Sequence, residues 1–284
     1  MEVRLASKRG FCFGVEDAIE LAHKTLASNT RGNVVALGPV IHNTQVVNKL
    51  QQSGLDQSGN LEEIPEGSTL LIRSHGAPPE TRQRAGERNL KIVDATCVLV
   101  KRAQTVVRQL HEEGYQVVMI GDRNHPEVIG VIGYAPDVIV IDTEEEIDKV
   151  LPRRGRLGLV AQTTHRPEHV AQMVGAICAR PFREIKIVNT LCLEVVRRQE
   201  AAVELCKDVD VMFVLGGLHS ANTRELAYLC KAEGIPTYHL ETWAAFQPEM
   251  AAGKKVAGVT AGASTPDDVI NEFVDKLRAF EPAQ

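Results

Sequence analysis

The sequence predicts an α/β protein of several lobes built on parallel sheets. Short β-branched runs alternate with amphipathic stretches along the whole chain, the pattern of strand–helix–strand units. Three cysteines, Cys12, Cys97 and Cys192, stand about a third of the chain apart, each where a glycine-rich or polar turn meets the start of a helical pattern. A length of 284 residues is long for one compact core, and the cysteine spacing favours three lobes. Three similar α/β lobes around a shared centre would have a trefoil outline.

The strand-like runs are, in order, EVRLA, NVVAL, TLLIR, KIVDA, QVVMI, DVIVI, LGLVA, IKIVN, VMFVL, PTYHL and KVAGV. Between them EDAIELAHKTLAS, LVKRAQTVVRQLHEEG and RQEAAVELCKD carry apolar residues at helical spacing with charges between. Asp94-Ala95-Thr96 and Asn189-Thr190-Leu191 each lead from a strand into a cysteine, so the lobes divide there. The expected lobes are residues 14–96, 97–191 and 192–284, with the N-terminal strand of residues 1–13 joining the last sheet.

Hydrophobic content of 44% and charged content of 24% are ordinary for a soluble globular protein. A net charge of -5 excludes a general nucleic-acid binder, whose affinity rests on clustered Lys and Arg. The N-terminal residues lack the apolar core of a signal peptide. No later stretch approaches the ~20 apolar residues that span a bilayer, so a cytoplasmic protein without membrane contact is expected. In a reducing compartment the six cysteines are not expected to form a disulfide framework. Cys178, Cys206 and Cys230, inside apolar helical patterns, read as core filling.

Cys12, Cys97 and Cys192 are too far apart for a local zinc knuckle or a redox pair. A thiolate from each lobe could meet at one centre and leave a fourth position open, as a substrate-activating iron–sulfur cluster requires. In parallel α/β units ligands gather at the carboxyl ends of strands. There stand His42 (GPVIHN), His75 (SHGAPP), His125 and Glu127 (DRNHPEVIG), Thr163 and Thr164 (QTTHRP), Ser220 and Asn222 (LHSANT), and Ser264. Each alone has a plain structural reading, as a helix cap or a hydrogen-bonded histidine. Together, His, Ser, Thr and Asn with loop amides can surround a highly charged anion without Lys or Arg. Glu127, beside a cluster, could stay protonated and donate protons; as a first-turn carboxylate it would simply favour the helix dipole. His23, His111, His165, His169 and His239 read as surface or structural residues. A cluster-bearing sensor would need the cysteines but neither Glu127 nor the anion ligands, and a structural zinc protein would need a fourth local ligand.

The set GFCFGV, GPVIHN, RSHGAPP, DATC, NHPEVIG, QTT, NTLC, GG-x-x-S-x-NT and TAGAS spans nearly the whole chain and resembles the 4-hydroxy-3-methylbut-2-enyl diphosphate reductase family, also called LytB or IspH. The resemblance implies a three-lobed α/β protein around a central 4Fe-4S cluster with three cysteine ligands, Cys12, Cys97 and Cys192, and one open iron. It implies reductive removal of the substrate hydroxyl as water, with two electrons and two protons, giving isopentenyl and dimethylallyl diphosphate. An external donor such as ferredoxin or flavodoxin would supply the electrons. His42, His75, His125, Ser220, Asn222 and Ser264 would hold the allylic diphosphate, Glu127 would deliver protons, and Thr163 would support the relay. Five positions depart from the family pattern. Val98 stands where Pro is usual, Glu194-Val195 where Ala-Thr follows the third cysteine, His219 where Asn precedes the loop serine, and Ala221 where Ser or Gly is common. A carboxylate at Glu194 would repel a diphosphate unless it turns away, is protonated, or faces a different substrate. An ordinary reductase and a paralogue with another substrate are the two expectations that follow.

Overall fold

The computed structural model describes residues 1–29, 32–152 and 155–280. Along the chain, β1 (Glu2–Leu5) leads to α1 (Phe13–Ser28), then β2 (Val34–Leu37), α2 (Thr44–Gln52), β3 (Leu55–Ser58), β4 (Thr69–Ile72), α3 (Pro79–Glu87), β5 (Lys91–Asp94) and α4 (Val98–Glu112). Next come β6 (Gln116–Ile120), α5 (Pro126–Ile132), β7 (Ile139–Ile141), α6 (Glu144–Val150), β8 (Arg156–Ala161), α7 (Pro167–Cys178), β9 (Glu184–Ile187) and α8 (Leu193–Cys206). The chain continues through β10 (Val211–Leu215), α9 (Ala221–Ala232), β11 (Thr237–Leu240), β12 (Val256–Ala261) and α10 (Asp267–Ala279).

These strands form three α/β lobes, each on a four-stranded, wholly parallel sheet: β3-β2-β4-β5, β7-β6-β8-β9 and β11-β10-β12-β1. The strand order is the same in all three. In the last sheet the fourth place is taken by the N-terminal strand, with Glu2 in register with Val256 and Leu5 with Val259. Central strands bury both faces and read as continuous apolar runs; edge strands such as β1 and β9 alternate or stay half-exposed. Strand β3 is absent from the β-branched runs of the sequence. Its residues LDQS bury only Leu55, and as an edge strand it is held to β2 by backbone bonds that place no demand on side-chain type.

Contacts group the chain into two compact units. One comprises Met1–Val15, His42–Val46 and the chain from Leu193 onward; the other comprises Glu16–Ile41 and Val47–Cys192. In the first, the period-two alternation of β10 serves two cores. Val211, Phe213 and Leu215 pack with Ile270, Phe273 and Leu277 of α10, whereas Met212 and Val214 face Ala202 and Cys206 of α8 and Leu226 and Cys230 of α9. In the second unit β6 does the same. Val117 and Met119 meet Val107 and Leu110 of α4 and Val131 of α5, while Val118 and Ile120 meet Ile147 of α6 and Met173 and Ile177 of α7.

Cys206 and Cys230 fill core as expected, and the Cys206 thiol together with burial pushes the Cys230 thiol far up, leaving it inert. Cys178 corrects its expectation: it is exposed, because it ends α7 on the face opposite Met173 and Ile177. Among the described residues no helix is long and apolar enough to cross a membrane.

Gly258 lets α8 lie close against β12. A Cβ there would press on the Met212 sulfur and stand 3.1 Å from Val209 and 3.2 Å from Leu205. Gly258→Ala is expected to destabilise by about 1–3 kcal/mol through overpacking, read as a lower urea midpoint at unchanged slope.

Candidate active site

Because the three sheets share one strand order, turns at their carboxyl edges are equivalent. After the first-built strand of each sheet come His42 (β2), His125 (β6) and Ser220 (β10). After the third come His75 (β4), Thr163 and Thr164 (β8), and Ser264 (β12). After the strand in fourth place come Cys97 (β5), Cys192 (β9) and Cys12 (β1), and each cysteine immediately precedes a helix, α4, α8 and α1. The candidate residues are therefore one pattern repeated three times, with the chemistry changed at each repeat.

In the unit that holds Cys97 and Cys192, Glu127 is the centre of the geometry. It lies in the first turn of α5 and is 2% exposed. Its Oε1 accepts the Thr163 amide N–H at 2.7 Å, and its Oε2 accepts the Thr163 hydroxyl at 2.8 Å. Burial pushes its pKa above the ordinary carboxylate range, against the opposing pull of those two Thr163 bonds. The Thr163 hydroxyl can either donate to the carboxylate or accept from the acid, so the pair can pass a proton. The Thr163 carbonyl in turn accepts the Cys192 amide N–H at 2.9 Å. Thr163 thus joins the acid, through its amide and hydroxyl, to the start of Cys192, through its carbonyl.

His125 is the N-cap of α5, and its Nδ1 accepts the Glu127 amide N–H at 3.1 Å, so the neutral ring carries its proton on Nε2. The His75 ring stands edge-on to it at 5.7 Å between centroids. Gly130 lets α5 close on that turn, since a Cβ would lie 3.0 Å from the His75 carbonyl oxygen. The Cys97 amide donates to the Ser74 carbonyl at 3.0 Å, which fixes the start of α4 beside His75. Thr164 is half-buried and accepts from Gln162 Nε2 at 3.0 Å.

In the unit that holds Cys12, the Cys12 amide donates to the Ala263 carbonyl at 3.1 Å, next to Ser264. Ser264 Oγ donates to the His42 carbonyl at 3.1 Å. Ser220 caps α9, accepting from the Thr223 amide at 3.3 Å. Asn222 is 5% exposed, yet neither its Oδ1 nor its Nδ2 has a partner. A buried amide left so is a place for a polar ligand. Gln199 on α8 is a second such amide, 4% exposed and unpartnered at both atoms, and sequence reasoning passed over it. Nothing in the helical stretch RQEAAVELCKD separates it from its polar neighbours.

Comparison with known proteins agrees with this pattern. A model of the family "LytB protein" matches residues 3–278. The chain belongs to the LytB protein family. A 4-hydroxy-3-methylbut-2-enyl diphosphate reductase of Aquifex aeolicus is 44% identical over 282 residues, covering 98% of this chain and 96% of that protein. The same-named protein of Citrifermentans bemidjiense is 43% identical over 283 residues, covering 99% and 98%. Among solved structures, (E)-4-hydroxy-3-methyl-but-2-enyl diphosphate reductase, the terminal enzyme of the non-mevalonate pathway, matches with a TM-score of 0.71 at 42% identity, covering 98% of this chain and 99% of that one. The E-1-hydroxy-2-methyl-but-2-enyl-4-diphosphate reductase of Plasmodium falciparum matches with a TM-score of 0.91 at 29% identity, covering 97% and 87%.

Against the LytB pattern, four of the five departures lie in surroundings that accommodate them. Val98 is 60% exposed, and His219 is exposed. Glu194 is ion-paired with Arg197 at 3.2 Å and Lys8 at 3.6 Å, so its charge is answered locally. Val195 is buried at 5% exposure, where an apolar side chain is at home. The donor chemistry suits the groups that LytB membership implies. Soft thiol ligands precede three helices whose positive ends favour negative charge, and buried polar groups await an anion.

The raised pKa of Glu127 has a sign for stability. Between the ordinary carboxylate range and the raised value, the folded protein keeps a proton that the unfolded chain has released, so stability falls as pH rises through that window. Glu127→Gln removes this component. The thermal midpoint of the variant relative to the native protein is expected to rise as pH increases above the ordinary carboxylate range; a flat difference would mean Glu127 titrates like an exposed carboxyl.

Proposed function

We propose that this protein reductively removes the allylic hydroxyl of 4-hydroxy-3-methylbut-2-enyl diphosphate, the last reaction of the non-mevalonate route, to give isopentenyl and dimethylallyl diphosphate. Two electrons and two protons enter, the C–O bond breaks, and water leaves. The observation that carries this reading is the threefold equivalence of turns: a cysteine after each fourth strand, and a histidine, serine or threonine after each first and third. Full-length likeness to reductases of that name supports it.

Cys12, Cys97 and Cys192 are the proposed ligands of a 4Fe-4S cluster with one open iron, and Cys178, Cys206 and Cys230 stand outside it. When bound, the cluster supplies electrons and Lewis acidity. The protein's own residues supply position and protons. His42, His75, His125, Thr164, Ser220, Asn222 and Ser264 are the proposed diphosphate ligands; the His125 Nε2–H and the Asn222 amide suit phosphate oxygens. Anchoring the diphosphate fixes where the hydroxyl lies. Glu127, whose pKa burial raises, is the proposed acid, and Thr163 both orients it and passes its proton. An external donor such as ferredoxin or flavodoxin is the proposed electron source, and the cytoplasm the proposed compartment. The proposed lobes are residues 14–96, 97–191 and 192–284 with 1–13, which the repeated strand order supports. The local pairing of Glu194 favours the ordinary reductase over a paralogue with a different substrate.

The direct test is an anaerobic assay of the cluster-loaded protein with this substrate and a chemical reductant. Formation of the two five-carbon diphosphates is expected, and a loaded protein that makes neither would sink the reading. Glu127→Gln is expected to keep its iron and sulfide while turnover drops by about 100-fold or more. Unchanged turnover would remove Glu127 from the mechanism. Glu194→Ala is expected to change kcat/KM by less than about fivefold, the scale of a half-exposed ion pair; a large gain would revive the paralogue.

A further inference from the structure

Asp142, His165 and His169 bring three metal-binding side chains together outside the residues assigned above. Asp142 follows β7, His165 lies in the turn between β8 and α7, and His169 lies in the first turn of α7. Their ligand atoms all lie within 4.8 Å of one another. Asp142 Oδ1 stands 3.1 Å from His165 Nε2 and 3.2 Å from His169 Nε2. In a tetrahedral zinc site with bonds of about 2.0–2.1 Å, neighbouring ligand atoms stand about 3.3 Å apart. The Asp142 oxygen already has that spacing from both histidine nitrogens.

The plain alternative is a carboxylate that accepts N–H bonds from two imidazoles. His169 fits it, with its Nε2 in hydrogen-bond geometry to Oδ1. His165 does not. Its Nε2 is buried and pairs with the same oxygen at 3.1 Å, but the contact is not aligned as a hydrogen bond. A nitrogen that lies beside the oxygen without pointing at it is what ligands sharing one ion do.

We propose that Asp142, His165 and His169 form a site for a zinc-class divalent cation, with a fourth position left to solvent beside the half-exposed Asp142. Two imidazoles and one carboxylate suit zinc better than magnesium or calcium, which take all-oxygen shells. The positive end of α7 and Arg166 at its N-cap oppose a cation there. Glu168 in the first turn of α7 and Glu144, Glu145 and Glu146 in the first turn of α6 offset them, and Glu146 Oε2 accepts the Asp142 amide at 2.7 Å. An ion here pins the turn two residues beyond Thr163, the residue that holds Glu127. The site is independent of the reductase reading.

The test is equilibrium dialysis of the cluster-loaded protein, anaerobically, against low-micromolar Zn²⁺, with zinc and iron measured per chain. About one zinc is expected to be retained with the iron content unchanged. His169→Ala and His165→Ala are each expected to weaken retention by about tenfold or more, while Cys178→Ser, which removes the exposed thiol, leaves it unchanged. Asp142→Asn, which keeps the side-chain shape, guards against a folding artefact and should weaken retention as well. No retained zinc in the native protein, or equal retention in the histidine variants, overturns the site; so does loss in Cys178→Ser alone.

Discussion

Parallel pairing is the constraint on which the rest of this molecule depends. A parallel strand cannot return by a tight hairpin, so every strand must be followed by a crossover, and every crossover leaves the sheet at the same carboxyl edge. Three sheets of identical order therefore deliver twelve equivalent turns, four per sheet, to edges where helix N-termini and strand-end amides already favour anions. Function needed only to change side chains within turns the topology had already aimed. Histidine, histidine and serine follow the first strands; histidine, threonine and serine follow the third; cysteine follows the fourth in every case.

Environment then separates residues of the same type. Three carboxylates make the point. Glu127, buried and bonded only to Thr163, is pushed towards the neutral acid. Asp142, flanked by the His165 and His169 imidazoles, is held well below the ordinary range and stays an anion. Glu194, partly exposed, is answered by Lys8 and Arg197. A carboxyl pushed towards its neutral form, one held as an anion and a surface ion pair arise from one functional group, set by desolvation and by which partner lies within about 4 Å. The cysteines divide in the same way. Those opening helices at sheet edges sit where negative charge is favoured, while Cys206 and Cys230 in the apolar core do not.

What the sequence made legible follows from where the physical signal is local. Central strands such as VMFVL bury both faces and so carry their structure in composition, whereas β3, held by backbone bonds alone, leaves no trace in LDQS. Cys178 misled because helical periodicity reports a face but not whether the last turn still lies under neighbours. The strand-end residues were readable because parallel topology converts a position in sequence into a position on an edge. Asp142 with His165 was not readable. The two meet only because β7 and β8 flank β6 in one sheet, and nothing in a sequence joins residues so separated. Only the four-residue step from His165 to His169 was visible. Gln199 was hidden for another reason: an unpartnered amide is defined by what surrounds it.

The N-terminal strand ties these arguments together. The last stretch of chain supplies only three strands for its sheet, and β1 completes the fourth place by pairing with β12 over Glu2 to Leu5. Without it β12 would be an edge strand with a row of unpaired backbone groups, although its residues from Ala257 to Ala261 are those of a buried strand. The same pairing carries Cys12 to the position that Cys97 and Cys192 occupy in their own sheets, and the Cys12 amide closes on the Ala263 carbonyl directly beyond β12. One strand thus completes the sheet and brings Cys12 to the edge position that its two counterparts hold. That is why the first residues of the chain, and not its last, must finish the third lobe.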